Sequence, residues 1–271
     1  MLSIGTSVMK WVGVASKTAT AFAGLMVIAL ACGAESSDMQ SAESAARART
    51  SKNVLAYMTL ETMFPDDRVR SLAAAAGEGN LAEVDRLVGE GANINARGTQ
   101  DATPLFWSMR NLSGFTKLLE LGADPNVVFG DGGTVMHWAA RAEDADFLRA
   151  VLRRGGDPNL AAGSFRRTPL FEAIGGNDAA IELLLDAGAD IDARSSNGDT
   201  AAMAAAGRGR FDVVFLLLSR GASYTVTNDK GVGLTDRVAD KQGAMDPEHD
   251  LAQWLDKVVE WLQERGVEIP G

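Results

Sequence analysis

The sequence predicts an all-α solenoid of about six helix-turn-helix units joined by short hairpin turns. Thr-Pro-Leu and its degenerate copies recur along the chain, starting at Thr103, Thr134, Thr168 and Thr200. A Gly-Ala-Asp-like tripeptide alternates with them, starting at Gly91, Gly122, Gly155, Gly188 and Gly221. Both series have a period of about 33 residues, and two interleaved series with one period indicate stacked helical pairs rather than a globular enzyme.

The first repeat shows how each unit is built. We expect residues 71–76 to form its first helix and residues 81–88 its second. The second segment has Leu81, Val84 and Leu87 at helical spacing, which places one apolar side against the stack. Gly91 follows that segment, where a left-handed residue commonly ends a helix and glycine adopts it at least cost. The same apolar pattern of the second helix, followed by a glycine, recurs in each later unit.

The last unit departs from this pattern. Its closing glycine, Gly266, comes well over one period after Gly221, and the extra residues fall around Lys241 to Asp250. We expect a long final helix over residues 251–264. A terminal repeat is commonly atypical because one of its faces meets water.

Residues 1–31 have the pattern of an export signal. Lys10 and Lys17 precede residues 18–34, which carry no charge and are largely apolar. Ala31 stands directly before Cys32, and this order resembles the lipobox of bacterial lipoproteins. The resemblance implies cleavage before Cys32, lipid attachment at that cysteine, and an anchored protein that faces the periplasm of the bacterial envelope. An ordinary cleaved signal and an uncleaved anchor helix are the alternatives.

The chain therefore divides into four predicted segments. After the signal peptide, 1–31, the small and polar residues 32–52 are typical of a flexible tether. Residues 53–66 carry an apolar side that could cover the end of the stack as an N-terminal capping helix. Residues 67–271 form the repeat domain.

Composition excludes several classes of function. The net charge of −10 disfavours nucleic acid as a partner, because the chain repels phosphate backbones overall. One cysteine allows no intramolecular disulfide and no thiolate zinc site. His249, in the acidic run 246–250, could hold a cation loosely, although a solvated insertion is the favoured interpretation. No hydrolase, metalloprotease or P-loop motif is present, so we expect no enzyme activity, no metal and no cofactor.

Residues 133–140, Gly-Thr-Val-Met-His-Trp-Ala-Ala, and residues 122–126, Gly-Ala-Asp-Pro-Asn, resemble the two motifs of the ankyrin-repeat family. The resemblance covers roughly residues 67–271. It implies that His137 occupies the family's histidine position and forms hydrogen bonds between neighbouring turns. It also implies that Trp107 and Trp138 occupy half-buried positions of the core.

In the ankyrin family, partners meet the turn tips and the exposed ends of the first helices, which line a concave side. The resemblance therefore implies a protein-binding set at these positions: Arg110, Asn111, Phe129, Arg141, Phe165, Arg166, Arg167 and Arg208. Exposed Phe and Arg residues commonly anchor interfaces. The alternative is that the arginines only keep the solenoid soluble and that Phe129 or Phe165 packs between the turns.

The layout suggests a monomeric, lipid-anchored protein that binds another protein and does no chemistry. Some ankyrin-repeat lipoproteins of Gram-negative bacteria act as immunity proteins against secreted phospholipases or other antibacterial effectors, and this chain resembles them in layout. A periplasmic scaffold or stress-protection partner of an envelope enzyme is the alternative. An enzyme that uses the insertion around His249 is a third hypothesis.

Overall fold

The computed structural model describes residues 59–176, 178–242, 244 and 251–269. The predicted export signal, Cys32, the tether, residues 53–58 of the capping segment and His249 lie outside the described residues. Within these ranges the chain is built from helices, with isolated β-bridges at Ala162–Arg167 and Thr227–Gly233. No helix of the described ranges is long and apolar enough to cross a membrane.

Thirteen α-helices occupy the described residues, and they alternate with tight turns. In chain order they are α1 Leu60–Met63, α2 Asp67–Glu78, α3 Leu81–Gly89, α4 Pro104–Trp107, α5 Leu112–Glu120, α6 Val135–Arg141, α7 Asp146–Arg153, α8 Pro169–Ala173, α9 Asp178–Asp186, α10 Ala201–Gly207, α11 Phe211–Ser219, α12 Leu234–Gln242 and α13 Ala252–Gln263. From α2 onward they form six pairs, which confirms the predicted all-α solenoid.

The recurring threonines start the first helix of each central pair. The Oγ1 atom of Thr103 accepts a hydrogen bond from the backbone N–H of Phe106 at 3.2 Å. Thr134 and Thr200 cap α6 and α10 in the same way. This bond satisfies one of the backbone donors that a helix start leaves without a partner. The threonine series is therefore a series of helix starts.

The recurring glycines end the second helix of each pair. All six have a left-handed backbone, with φ between 74° and 96°, as the sequence predicts: Gly91, Gly122, Gly155, Gly188, Gly221 and Gly266. A side chain is strained in this conformation, whereas glycine adopts it freely. Each glycine lets the chain leave its helix and enter the next turn.

Side-chain amides connect one repeat to the next. The Nδ2 atom of Asn126 donates to the Gly155 carbonyl at 3.0 Å, and its Oδ1 atom accepts from the Asp157 N–H at 2.8 Å. Asn95 and Asn159 make the same pair of bonds with their following repeats. Each asparagine thus joins two backbone groups of the next turn to its own turn, and this asparagine ladder sets the spacing between the turns.

Helices of successive repeats approach closely because small residues lie between them. Gly114 of α5 has no room for a side chain, since a Cβ atom there would collide with the backbone oxygen of Ala76 in α2. First helices α6, α8, α10 and α12 pack in order, and so do second helices α3, α5, α7 and α9. The core is thus a continuous layer between stacked pairs rather than a central interior.

Both ends of the stack are covered. Met63 and Phe64, at the end of α1, are fully buried. At the other end, Trp254 of α13 packs on Phe215 with ring centroids 5.7 Å apart. The helix α13 spans Ala252–Gln263, as expected from the long final segment of the sequence. Terminal faces of a solenoid need such covers because their apolar side would otherwise meet water.

Candidate protein-binding surface

One position recurs in the first helices of successive repeats. It lies three places after the first residue of each of these helices and is occupied, in chain order, by Trp107, Trp138, Glu172, Ala204 and Arg237. The two tryptophans are half-buried and pack against the core, as the sequence predicts. The indole of Trp138 lies edge-on to the Phe106 ring at 5.4 Å. This position changes from aromatic to charged residues along the solenoid.

Arg110 is folded onto the first of these tryptophans. Its guanidinium carbon lies 3.3 Å from the centroid of the Trp107 ring, and its Nη1 atom donates to the Trp107 carbonyl at 2.8 Å. Burial lowers the pKa of Arg110 to about 10. The sequence predicts a projecting arginine here, whereas the structure covers one face of the guanidinium and commits part of it to the fold.

Asn111 has a structural role that the sequence prediction did not assign. Its Oδ1 atom accepts a hydrogen bond from the Gly114 N–H at 3.0 Å and thereby caps α5. Its amide also fills the space beside Gly79, where a Cβ atom would lie 2.6 Å from Nδ2. An amide held by a helix cap has little freedom to meet a partner.

The two phenylalanines of the predicted set differ in exposure. Phe129 is 3% exposed, and its ring packs against Phe106 at 4.8 Å. The expectation that Phe129 meets a partner is therefore wrong, because burial between the turns leaves it almost no surface. Phe165 is 47% exposed and lies at the turn before α8. It is the exposed aromatic side chain of the predicted set.

Arg141 binds the carboxylate of Glu172 in α8, and Arg208 lies near enough for that charge to affect its pKa. Arg141 binds the Oε2 atom of Glu172 through both Nε, at 3.1 Å, and Nη2. Arg208 reaches back to the preceding repeat, where its Nη1 atom lies 3.4 Å from the carbonyl oxygen of Phe171. Burial lowers the pKa of Arg208, and the positive charges of Arg167 and Arg141 lower it further, against the opposite effect of Glu172.

The turn before α8 carries the other two predicted arginines. Arg166 is exposed and has a left-handed backbone with φ of 46°. Arg167 lies under the tip, with its guanidinium carbon 5.0 Å from the Phe165 ring centroid. Its Nε atom and the Oγ1 atom of Thr168 are buried without a hydrogen-bond partner among the described residues. Thr168 therefore starts α8 without the side-chain cap of its equivalents.

His137 holds this turn to the preceding helix. Its Nε2 atom lies 2.9 Å from the Arg167 carbonyl, and its Nδ1 atom lies 2.8 Å from the Thr134 hydroxyl. Burial is the main cause that lowers the pKa of His137. The neutral ring fits both contacts when Nε2 donates to the carbonyl and Nδ1 accepts from the hydroxyl. The predicted role of His137 between neighbouring turns is confirmed.

No group of three or more metal-binding side chains occurs in the part of the chain that the structure describes. What the concave side offers is instead a set of cationic and aromatic groups, chiefly Arg141, Arg167, Arg208 and Phe165. Such a set can recognise an anionic or aromatic surface by charge and stacking.

Comparison with known proteins identifies the repeat type. Residues 136–228 match the family model of ankyrin repeats, in three copies. The fold is an ankyrin-repeat solenoid. The remaining helical pairs continue the same stack on both sides of the matched residues, with the same closing glycines.

Several different proteins are similar to part of this chain. Protein PhlB of Serratia liquefaciens is 34% identical over 137 residues, which cover 46% of this chain and 60% of that protein. The human palmitoyltransferase ZDHHC17 is 28% identical over 176 residues, 51% of this chain and 28% of its own length. The mitochondrial disaggregase of Bos taurus is 34% identical over 143 residues, 50% of this chain and 21% of its own length. The chain thus spans less than two thirds of each of these relatives.

The part that matches is the ankyrin solenoid, which is a protein–protein interaction module. Sequence reasoning named Arg141 and Arg208 but missed Glu172, the carboxylate that binds Arg141. It also missed Thr168, whose hydroxyl lacks the cap bond of its equivalents. The signal for Glu172 was present in the repeat pattern, because an acid stands there at the position of two tryptophans.

Proposed function

We propose that this protein is a lipid-anchored immunity protein of the bacterial envelope, which neutralises a secreted antibacterial effector such as a phospholipase by binding it on the concave side. The arginine cluster around Glu172 is the observation that carries the binding part of the proposal. An acidic protein that gathers arginines on one side has a local positive surface, and opposite charge on a partner favours fast and selective association.

The anchoring part of the proposal is supported by the sequence around Cys32. A basic segment, an apolar run and a small residue before the cysteine are the order of a lipoprotein signal. Acyl chains contribute about 0.8 kcal/mol for each buried CH₂ group, so more than one chain holds a protein firmly at a membrane. A protein held there would meet an effector that acts in the periplasm.

One experiment tests the anchor. Cells given an alkyne fatty acid should label the wild-type protein and spare Cys32→Ser. Equal labelling of both proteins would exclude the anchor.

A second experiment tests protection by the concave side. Cells that lack the protein should be killed by sister cells that secrete the effector. Expression of the wild-type protein should restore survival, whereas Arg141→Glu combined with Arg208→Glu should not. Full protection by a folded double variant would exclude the concave side as the binding surface.

A further inference from the structure

The cluster around Glu172 has more hydrogen-bond donors than acceptors. Arg141 binds Glu172, and Arg208 lies close enough to Arg167, Glu172 and Arg141 for their charges to shift its pKa. Three guanidinium groups and one carboxylate leave a local charge of about +2. Among the described residues, Arg208 has one long bond to a carbonyl, and the Nε atom of Arg167 has none. A guanidinium carries five N–H donors, so most of the donors of these two arginines have no protein acceptor.

Other arginines that connect neighbouring repeats have carboxylates of their own. Arg220 binds both Glu182 and Asp186 of α9. Arg210 binds Asp178 at 2.8 Å and Asp212 at 2.8 Å, and its Nη1 atom donates to the Ile174 carbonyl. Arg237, whose Nε atom is also buried without a partner in the described structure, binds Asp199 at 2.7 Å. By contrast, Arg141 binds the single carboxylate of Glu172, and Arg208 bonds to the Phe171 carbonyl instead of to a carboxylate.

The same place concentrates structural features that cost folding free energy. Arg166 has a left-handed backbone, which strains a residue with a side chain. The adjacent Arg167 and Thr168 each bury a polar atom without a partner in the described structure, and such atoms are rare in folded proteins because they lose water without a replacement. Positive φ also occurs at the equivalent turn position of Asp101, so the feature particular to this turn is the pair of buried polar atoms in adjacent residues.

We propose that Arg141, Arg167 and Arg208 form a seat for a carboxylate on an acidic segment of the partner protein, with Phe165 beside it as an apolar contact. This inference rests on the proposed protein-binding function. The guanidinium fork matches the two oxygens of a carboxylate, which would supply the missing acceptors and offset the local charge. Glu172 already binds Arg141, so it competes with the partner's carboxylate for that guanidinium.

The seat can be tested without knowledge of the partner. The arginine Nε–Hε signals of the full chain are followed by NMR during titration with acetyl-Glu-Glu-Glu-amide. The signals of Arg141, Arg167 and Arg208 should shift together and saturate, while that of Arg220, which already has two carboxylates, should stay in place. Acetyl-Gln-Gln-Gln-amide should have no effect. Equal shifts at all arginines, or none, would overturn the proposal, as would saturable binding of inorganic phosphate that is tighter than that of the peptide.

Matched variants distinguish a binding role from a structural one. Arg208→Gln and Arg141→Gln should each weaken peptide binding about fivefold or more, since each removes one charged donor group. Glu172→Gln should strengthen it, because the competing carboxylate is lost; unchanged or weaker binding would overturn the seat. Arg220→Gln is the control and should bind as the wild type does. If one glutamine variant does not fold, the other and Glu172→Gln still decide the question.

The outcome for the seat is separate from the outcome for the proposed function. A seat that fails the peptide test while the wild-type protein still protects cells leaves the immunity proposal standing with a different contact surface. A seat that passes while protection is absent leaves a protein that binds acidic segments for another purpose.

Discussion

Arg166 occupies a position where the fold requires a left-handed residue. The residue two places before each first-helix start has positive φ in five successive turns, and its occupants are Asp101, Gly132, Arg166, Gly198 and Gly231. Glycine adopts this conformation without strain, so arginine at position 166 lowers the free energy of unfolding relative to glycine. Arg166 is exposed, so the proposed binding of a partner gives a reason for its presence that stability does not.

Arg166→Gly is expected to raise the free energy of unfolding by about 0.5–1 kcal/mol, because relief of strain exceeds the added freedom of the unfolded chain. Gly231→Ala should lower it by a similar amount, since a Cβ atom there meets nothing within 4 Å and only the backbone is strained. Urea melts of both variants give the comparison. If Arg166→Gly destabilises the protein, the arginine contributes to the fold and the strain argument fails.

His137 makes folding stability depend on pH. Burial lowers its pKa below the ordinary value of 6.5, so the unfolded chain binds a proton at a higher pH than the folded chain does. The stabilising contribution of the neutral ring is complete above about pH 6.5 and is lost progressively as the pH falls below that value. Protonation also removes the acceptor that Nδ1 offers to the Thr134 hydroxyl.

Urea melts at about pH 7.5 and pH 5.5 test this contribution. The wild type should lose more free energy of unfolding between the two values than His137→Gln loses, because the glutamine cannot titrate. The carboxylates are common to both proteins, so their contribution cancels in the comparison. Equal losses in the two proteins would show that His137 has the same pKa in the folded and unfolded states.

Among the elements, the asparagine ladder weakens at its last step. Asp192 stands where the preceding repeats have Asn95, Asn126 and Asn159. Its Oδ1 atom still accepts from the Ser223 N–H at 2.9 Å, but a carboxylate cannot donate to the carbonyl of Gly221. The contact between the last turns therefore has half of the bonds of the earlier ones.

Asp192→Asn should raise the free energy of unfolding by about 0.5–1 kcal/mol, because the new amide can donate to the Gly221 carbonyl. Asn159→Asp is the matched control and should lower it by about 0.5–1.5 kcal/mol, since it removes the hydrogen bond to the Gly188 carbonyl. Thermal melts of both variants measure the effect. Unchanged stability in both variants would mean that water already serves these carbonyls equally well.

The helices differ in how much each of their apolar side chains contributes to the free energy of unfolding. Leu184 of α9 is fully buried between repeats, whereas Leu60 of α1 is only half-buried at the end of the stack. Leu184→Ala should lower the free energy of unfolding by about 2–5 kcal/mol, because it leaves a cavity that its packed neighbours cannot fill. Leu60→Ala should cost clearly less. An equal or reversed ranking in urea melts would show that α1 is part of the core.

At the scale of the whole molecule, association with a partner depends more on where the charges lie than on the net charge. The chain carries a net charge of −10, yet the concave side gathers Arg141, Arg167 and Arg208. Charges near a binding surface chiefly change the association rate, and salt screens them over about 10 Å at 0.1 M. Arg110 is unsuitable for a test of this effect because its guanidinium packs on Trp107.

Arg141→Glu combined with Arg208→Glu should slow association with the partner at about 0.05 M salt, and the difference should shrink at about 0.5 M. The control reverses Arg149 and Arg153, two exposed residues of the second helix α7, and changes the net charge by the same amount. Stopped-flow kinetics at both salt concentrations measure the rates. Equal slowing by both pairs would show that net charge, and not the concave side, controls association.

The sequence by itself determined the fold of the repeats. The threonine and glycine series are local signals, since a hydroxyl that caps a helix and a residue with positive φ act within about one helical turn of their own position. The interpretation of His137 also followed from its place in the motif. These features depend on residues that are close to one another along the chain, so the sequence alone was enough to predict them.

Only the tertiary structure decided which side chains are available for binding. Phe129 and Phe165 both lie in turns, yet one packs against Phe106 and the other is exposed. Arg110 and Arg141 occupy equivalent positions, but the first stacks on a tryptophan and the second binds Glu172 of the next repeat. Contacts between repeats join residues about one period apart, and the side chain of the neighbouring repeat decides whether each group is buried, paired or available to a partner.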